Sequence, residues 1–313
     1  MVRGRHRLAA IVLTAAASLA SAGSAEAQDS VTVAAGLSAR FVTGDFGSSE
    51  TTRMVYVPAT LRVDWNRVET SVAFPWVSLD SATVAWSQGG FVPMQGSLTG
   101  SPGVGMSMSG GLAGAAGQSG MGGMMGSGSI AGQGTSAGSN LLTPSGALMH
   151  QTGVGDIVAS VGYRLVDNTL TGWQATVGTR VKVPTAGASN GIGTGKLDVG
   201  GFAGIRRQLA RGWLAGELGY LRVGDPAGLD LRDAVFWSAA AGRSLSPRLS
   251  LLASAIGNTA LLSEFDAPVE VGIGVSVRVG DRLLVSVLPS TGLTDASPRF
   301  GLTIGLSQLL LER

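Results

Sequence analysis

The sequence holds 313 residues, 49 of them glycine, with 13% charged and 5% aromatic side chains, a mean hydropathy of +0.31 and no cysteine. An average globular chain has about 25% charged residues and about 7% glycine, so this one is too apolar for disorder and too glycine-rich for an ordinary helical core. Beyond the N-terminus no window reaches the ~18 apolar residues of a membrane-spanning helix, which excludes a helical membrane bundle, and the lack of cysteine excludes disulfide staples.

In chain order the first element is a basic stretch, MVRGRHR, followed by the apolar LAAIVLTAAASLASA and the small-residue site AEA ending at Ala27. That succession predicts a secretory signal peptide over residues 1–27. Its removal takes Arg3, Arg5, Arg7 and Glu26 and leaves 19 basic and 19 acidic side chains in residues 28–313. The pI of about 9.4 therefore partly reflects the export signal. No basic run survives to neutralise phosphates, so no nucleic-acid partner is expected.

From Val31 onward the pattern has period two, the mark of strands with one apolar face. In residues 54–65 the set Val55, Val57, Ala59, Leu61, Val63 and Trp65 alternates with Met54, Tyr56, Pro58, Thr60, Arg62 and Asp64. The same split recurs in residues 173–183, WQATVGTRVKV, and in 269–279, VEVGIGVSVRV. About twelve such segments are centred near residues 36, 59, 73, 160, 177, 203, 218, 238, 253, 273, 286 and 304. A tilted transmembrane strand needs ~9–11 residues to cross a bilayer, whereas strands of soluble sandwiches run to about 5–6.

The connections alternate in length. Short ones lie at Trp65-Asn66-Arg67, Val166 to Gly172, Ala210-Arg211-Gly212, Ser246-Pro247 and Gly280-Asp281. Longer ones run over Thr43 to Thr52, Asp80 to Thr152, Pro184 to Gly195, Gly224 to Leu229, Asn258 to Asp266 and Pro289 to Ser297. Short turns interleaved with longer loops predict an all-β, up-and-down antiparallel transmembrane barrel of about 12 strands over residues 28–313, with short turns on the periplasmic side. The expected place is the bacterial outer membrane. Residues 81–155 contain no Asp, Glu, Lys or Arg, and residues 96–138 hold 16 glycines with Met106, Met108, Met121, Met124 and Met125. This predicts a low-complexity loop at about 80–152.

The run Thr152 to Leu165 (TGVGDIVASVGYRL), then VGTRVKVPTA (Val177 to Ala186), GTGKLDVGGFAGIRRQL (Gly193 to Leu209) and GELGYLRVGD (Gly216 to Asp225) resembles the outer-membrane transporter-like family named for the meta-cleavage pathway of phenol degradation. The resemblance rests on GxGD opening a strand, K-x-P-T ending one and GTGxxD opening the next. It covers about 75 contiguous residues and, more loosely, the strands to the C-terminus. It implies an outer-membrane barrel for uptake of small, aromatic or apolar compounds, with outer-membrane lipid, a small-molecule solute and the barrel-assembly machinery as partners. Two departures are the Met/Gly insert and the ending LLLER, where many barrels carry a terminal aromatic as assembly signal.

Alternation puts Arg40, Arg62, Arg164, Arg180, Lys182, Lys196, Arg206, Arg278 and Arg282 on the polar, lumen-lining face, with Asp64, Glu69, Asp156, Asp198, Glu217 and Glu270. Two readings follow: charged rings that select solutes, or opposite charges that pair across strands and fill a narrow barrel. Trp65, Trp173 and Trp213, beside short turns, and Trp76, at the far end of its strand, are expected as aromatics of the membrane interface.

Other constellations have plainer readings. A catalytic histidine is not expected, because His6 leaves with the signal and His150 ends the low-complexity loop; no enzyme activity follows. GIGTGKL (Gly191 to Leu197) lacks the first Gly and the Ser or Thr of a phosphate loop. Asp225, Asp230 and Asp233 suit turn chemistry as well as Ca²⁺, and the methionines lack the His or Cys that would accompany them in a Cu(I) site. No metal or cofactor is assigned. Passive passage of small molecules is the function expected, the alternative being a structural or surface-interaction barrel with a plugged lumen.

Overall fold

The computed structural model describes residues 31–46, 51–81, 84–87, 90–93, 149–186, 195–224, 231–261 and 266–312. The expected signal peptide and the Met/Gly core of the long loop lie outside them. Strands β1 (Val31–Gly44), β2 (Thr52–Trp65) and β3 (Val68–Ser81) open the wall, and β4 (Val84–Ser87) with β5 (Gly90–Pro93) forms a separate two-stranded hairpin. β6 (Met149–Val154), β7 (Ile157–Asn168), β8 (Trp173–Val183), β9 (Asp198–Leu209) and β10 (Gly212–Arg222) follow. β11 (Ala234–Ser244), β12 (Leu249–Asn258), β13 (Val269–Val279), β14 (Leu283–Gly292) and β15 (Phe300–Glu312) complete the wall.

From β1 to β3 and from β7 to β15 each strand pairs antiparallel with the next, and β1 pairs with both β2 and β15, so the sheet closes. β6 and β7 share one place in the wall. β3 holds β6 along Trp76–Ser81 and β7 along Val68–Ala73. The backbone breaks at Gly155-Asp156, where Gly155 N–H donates to Pro75 O at 2.8 Å. The result is a closed antiparallel barrel of twelve wall positions. Closure pairs the wall strands on both sides, apart from β6, which is held by β3 alone among the described residues; such pairing is the condition for strands to reside in hydrocarbon.

The short turns fall between strands where the sequence puts them, at 66–67, 169–172, 210–211, 245–248 and 280–282. Asn66 takes a left-handed backbone, φ 52°, in the tight β2–β3 turn, a conformation that asparagine tolerates. Gly172 (φ 72°) does the same before β8, where a side chain would also strike the Gln208 carbonyl. The wall reaches further into the stretch expected as loop. β3 runs to Ser81, and β6 takes up Met149 to Val154. His150, read from sequence as a loop residue, is a strand residue opposite Asp80, its Nδ1 2.5 Å from Asp80 Oδ1 on the exposed side. Strand pairing with the end of β3, invisible in a charge-free neighbourhood, puts it there.

Burial alternates along the strands. On β2, Met54 and Tyr56 are buried while Ala59 and Leu61 are exposed; on β13, Glu270, Gly272, Gly274 and Ser276 are buried while Ile273, at 71%, is the most exposed large apolar residue of that strand. The exposed set of Leu61, Phe74, Val161, Ile205, Leu218 and Ile304 forms an apolar outer belt. A soluble protein rarely shows so continuous an apolar surface; a bilayer would cover it.

Candidate functional site: a charge-paired lumen

The buried face of each strand is the inward one, because its side chains meet across intervening strands. Arg40 on β1 makes a two-point contact with Glu270 on β13, at 2.7 and 3.0 Å, passing over β15 and β14. Arg180 on β8 reaches Glu217 on β10 at 3.3 Å over β9. Only the concave side of a curved wall brings such groups together.

Among the described residues seven cations stand on this side, Arg40, Arg62, Arg164, Arg180, Lys182, Arg206 and Arg278, with seven carboxylates, Asp64, Glu69, Asp156, Asp167, Asp198, Glu217 and Glu270. They fall into belts. Towards the short turns, Arg62 forms a fork with Asp64 (2.7 and 2.8 Å) and reaches Glu69 at 3.4 Å. Arg164 takes the other Glu69 oxygen at 2.7 Å and Asp167 at 3.0 Å. Arg206 stands within electrostatic reach of Arg62 and Glu69, four and three wall positions away around the barrel. Its guanidinium carbon lies 5.1 Å over the Trp213 ring. Arg278, half-buried, lies on the inward side near the β13–β14 turn.

At mid-height Arg180 is sandwiched between Phe202 (5.2 Å) and Phe236 (5.1 Å) while it holds Glu217. The space for Phe202 exists because Gly178 has no side chain; a Cβ there would collide with the ring. A planar cation between two rings gains cation–π energy that an ammonium shares less well. Arg180→Lys is therefore expected to lower unfolding stability by about 1 kcal/mol, read from the urea midpoint of the folded barrel; an unchanged midpoint would show that the stacking contributes nothing.

Towards the long loops, Lys182 Nζ lies 2.8 Å from Asp198 and 3.7 Å from Asp156, all three fully buried. Asp156 accepts Ala186 N–H at 2.7 Å, and Asp198 accepts Gly224 N–H at 2.9 Å. Thr185 Oγ1 accepts Ile157 N–H at 2.9 Å and donates to Gly155 O at 3.3 Å. The three short motifs GxGD, K-x-P-T and GTGxxD thus converge on one buried ion cluster at the loop roots.

Some expected residues stand elsewhere. Lys196 and Arg282 are exposed outside the strands. Trp65, Trp76 and Trp173 are on the outward side, Trp76 43% and Trp173 38% exposed. Trp213 is not: it points inward, 3% exposed, packed with Ala240 and Leu252 beneath Arg206. It lies four residues before Glu217, so strand parity puts both on the same face, and proximity to a turn misleads. Asp167 escapes the sequence reading for the opposite reason. A bulge between Arg164 and Val166 shifts the alternation by one residue, so Arg164 and Asp167 both turn inward.

Apolar side chains share the lumen. Leu221, Val223, Leu231, Ala234, Phe236 and Leu261 form a buried cluster against Phe202. Among the described residues no group of three His, Cys, Asp or Glu side chains could hold a metal ion. Asp233 is engaged with the Tyr220 hydroxyl and with Val223 N–H, and Asp225, Asp230, Gly191 and the loop methionines lie outside the described residues.

No family model matches the chain, and neither does any curated protein. Among solved structures, an outer-membrane channel from Pseudomonas putida F1 is similar at TM-score 0.55 and 10% identity, over 92% of this chain and 99% of that one. Weaker likenesses are to the NanC porin (TM-score 0.48, 7% identity, 88% and 100% covered) and the P. putida toluene transporter TodX (TM-score 0.40, 10% identity, 92% of each chain). The first is a likeness of fold. A closed twelve-stranded wall of this kind, with an apolar outer belt and a polar interior, belongs in the bacterial outer membrane.

Proposed function

We propose that this chain lets small solutes cross the outer membrane passively, selected by the width and charge of the lumen. The observation that carries the reading is the contrast between the two faces of one closed wall, an apolar belt outside and seven cations against seven carboxylates inside. Charges are costly to bury, and a barrel held only by packing has no need of them. Aromatic or apolar solutes fit the interior best, because Phe202, Phe236 and Trp213 stand inward beside the arginines. The membership that the motifs suggest, in the family named for the meta-cleavage pathway, points to the same solutes.

Within this reading residues 1–27 serve export. Trp65, Trp76 and Trp173 anchor the barrel at the membrane interfaces. The chemistry is passage without bond making, and no cofactor takes part.

One observation favours the second reading, a structural or surface-interaction barrel with a plugged lumen: the inward side chains near the loops pack into an apolar cluster. The two separate in a planar bilayer. The purified full chain is expected to give stepwise ion conductance, and vesicles containing it to take up a small neutral aromatic such as benzyl alcohol faster than empty vesicles. Absence of both conductance and added flux would sink the transport reading and leave the plugged barrel.

A further inference from the structure

Among the described residues the inward charges balance in number but not in place. In the belt near the short turns, Arg62 and Arg164 occupy all three carboxylates: Asp64 and Glu69 bind both arginines, and Asp167 binds Arg164 and the Gln174 amide. Arg206 is left. It is 6% exposed, makes no ion pair among the described residues, and meets only the Gln208 side-chain oxygen, at 3.4 Å; its Nη1 is buried without a hydrogen-bond partner. An unpaired buried guanidinium is costly, and it is held here by the Trp213 ring below it.

That ring belongs to an apolar patch. Trp213 packs with Ala240 and Leu252, and Ala215 and Leu288 lie against them. Gly242 pairs with both Trp213 and Leu252, so the patch continues along one row of the wall. One inward position nearer the short turns, Ser250 pairs with Ser276, and both hydroxyls are buried without a partner. A forked cation at one end of an apolar patch, with spare hydroxyls beyond its other end, complements an amphipathic anion. Arginine presents two parallel N–H groups that match a carboxylate, and the hydrocarbon part of such an acid would gain by leaving water for the Leu252–Leu288 surface. Neighbouring Arg62 reinforces the attraction and Glu69 partly offsets it, so a carboxylate alone is held less well than one attached to a ring.

We infer that Arg206 and the patch around Trp213 form a binding site for a small organic acid, its carboxylate on Arg206 and its aromatic or alkyl part on Trp213, Leu252 and Leu288. The site names the solute class for the pathway proposed above and rests on that reading.

The test is calorimetric titration of the folded, detergent-solubilised full chain with benzoate, acetate and benzyl alcohol, folding being checked by the faster migration of the unheated barrel on a denaturing gel. Benzoate is expected to bind at least tenfold more tightly than either single-feature probe. Arg206→Gln should lose at least tenfold for benzoate and leave benzyl alcohol unchanged, and Arg206→Lys, which keeps the charge and loses the fork, should fall between. If Arg206→Gln does not fold, the lysine variant carries the comparison. No benzoate binding, equal binding by wild type and the variants, or acetate or benzyl alcohol binding as tightly as benzoate would each overturn the site. The transport reading fails separately, by absent conductance and flux, even where benzoate binds.

Discussion

Replacing Lys182 by methionine is expected to lower the stability of the folded barrel by about 3–5 kcal/mol, the cost of removing one partner from a buried ion cluster. The ammonium lies between Asp156 and Asp198, and all three side chains are shut off from solvent. Methionine keeps much of the length and none of the charge, so two carboxylates remain buried near each other with backbone N–H groups such as those of Ala186 and Gly224 to hold them. Because Asp156 sits at the β6–β7 break, Lys182 near the end of β8 and Asp198 at the start of β9, the damage falls on the roots of the long loops. The urea midpoint of the reconstituted barrel reads the loss, and trypsin cleavage after exposed Lys196 should accelerate. Adding Asp198→Asn to Lys182→Met should recover part of the stability, since it removes one of the stranded charges. An unchanged midpoint would mean that the cluster does not stabilise the mouth.

The same cluster shows what the sequence could and could not disclose. Its members were visible as charged residues on a polar face, and the GxGD, K-x-P-T and GTGxxD motifs mark its three corners, yet nothing in their spacing says that Lys182 bridges the other two. Strand number and alternation depend on local, period-two information and were legible from composition and turn residues. Partners such as Arg40 and Glu270, 230 residues apart, depend on how many strands close the barrel and with what stagger, which no local pattern carries. Trp213 and Asp167 fail for local reasons of their own. Parity outweighs turn proximity for the first, and a bulge breaks parity for the second. β6 was hidden because the low-complexity stretch before it offers no polar alternation from which to read a strand.

Arginine placed along the outer face of β13 is expected to be tolerated by depth. Ile273 lies at the middle of the strand and is 71% exposed, whereas Val279, 51% exposed, closes it beside the Gly280 turn. On a lipid-facing strand a midplane arginine costs about 2–4 kcal/mol and one near the interface about 0–1 kcal/mol. Ile273→Arg should therefore be the most damaging of the series Ile273, Val275, Val277 and Val279, and the penalty should fall steadily towards the turn. Neighbouring inward positions do not share this gradient, since Glu270 on the same strand already carries a charge, held by Arg40. Unfolding of each variant from bilayers of constant thickness measures the profile. A flat profile, with all four arginines tolerated alike, would mean that water and not hydrocarbon covers this face. A barrel standing in water would then replace the membrane barrel, because only a bilayer makes the cost of one and the same charge depend on its height along the wall.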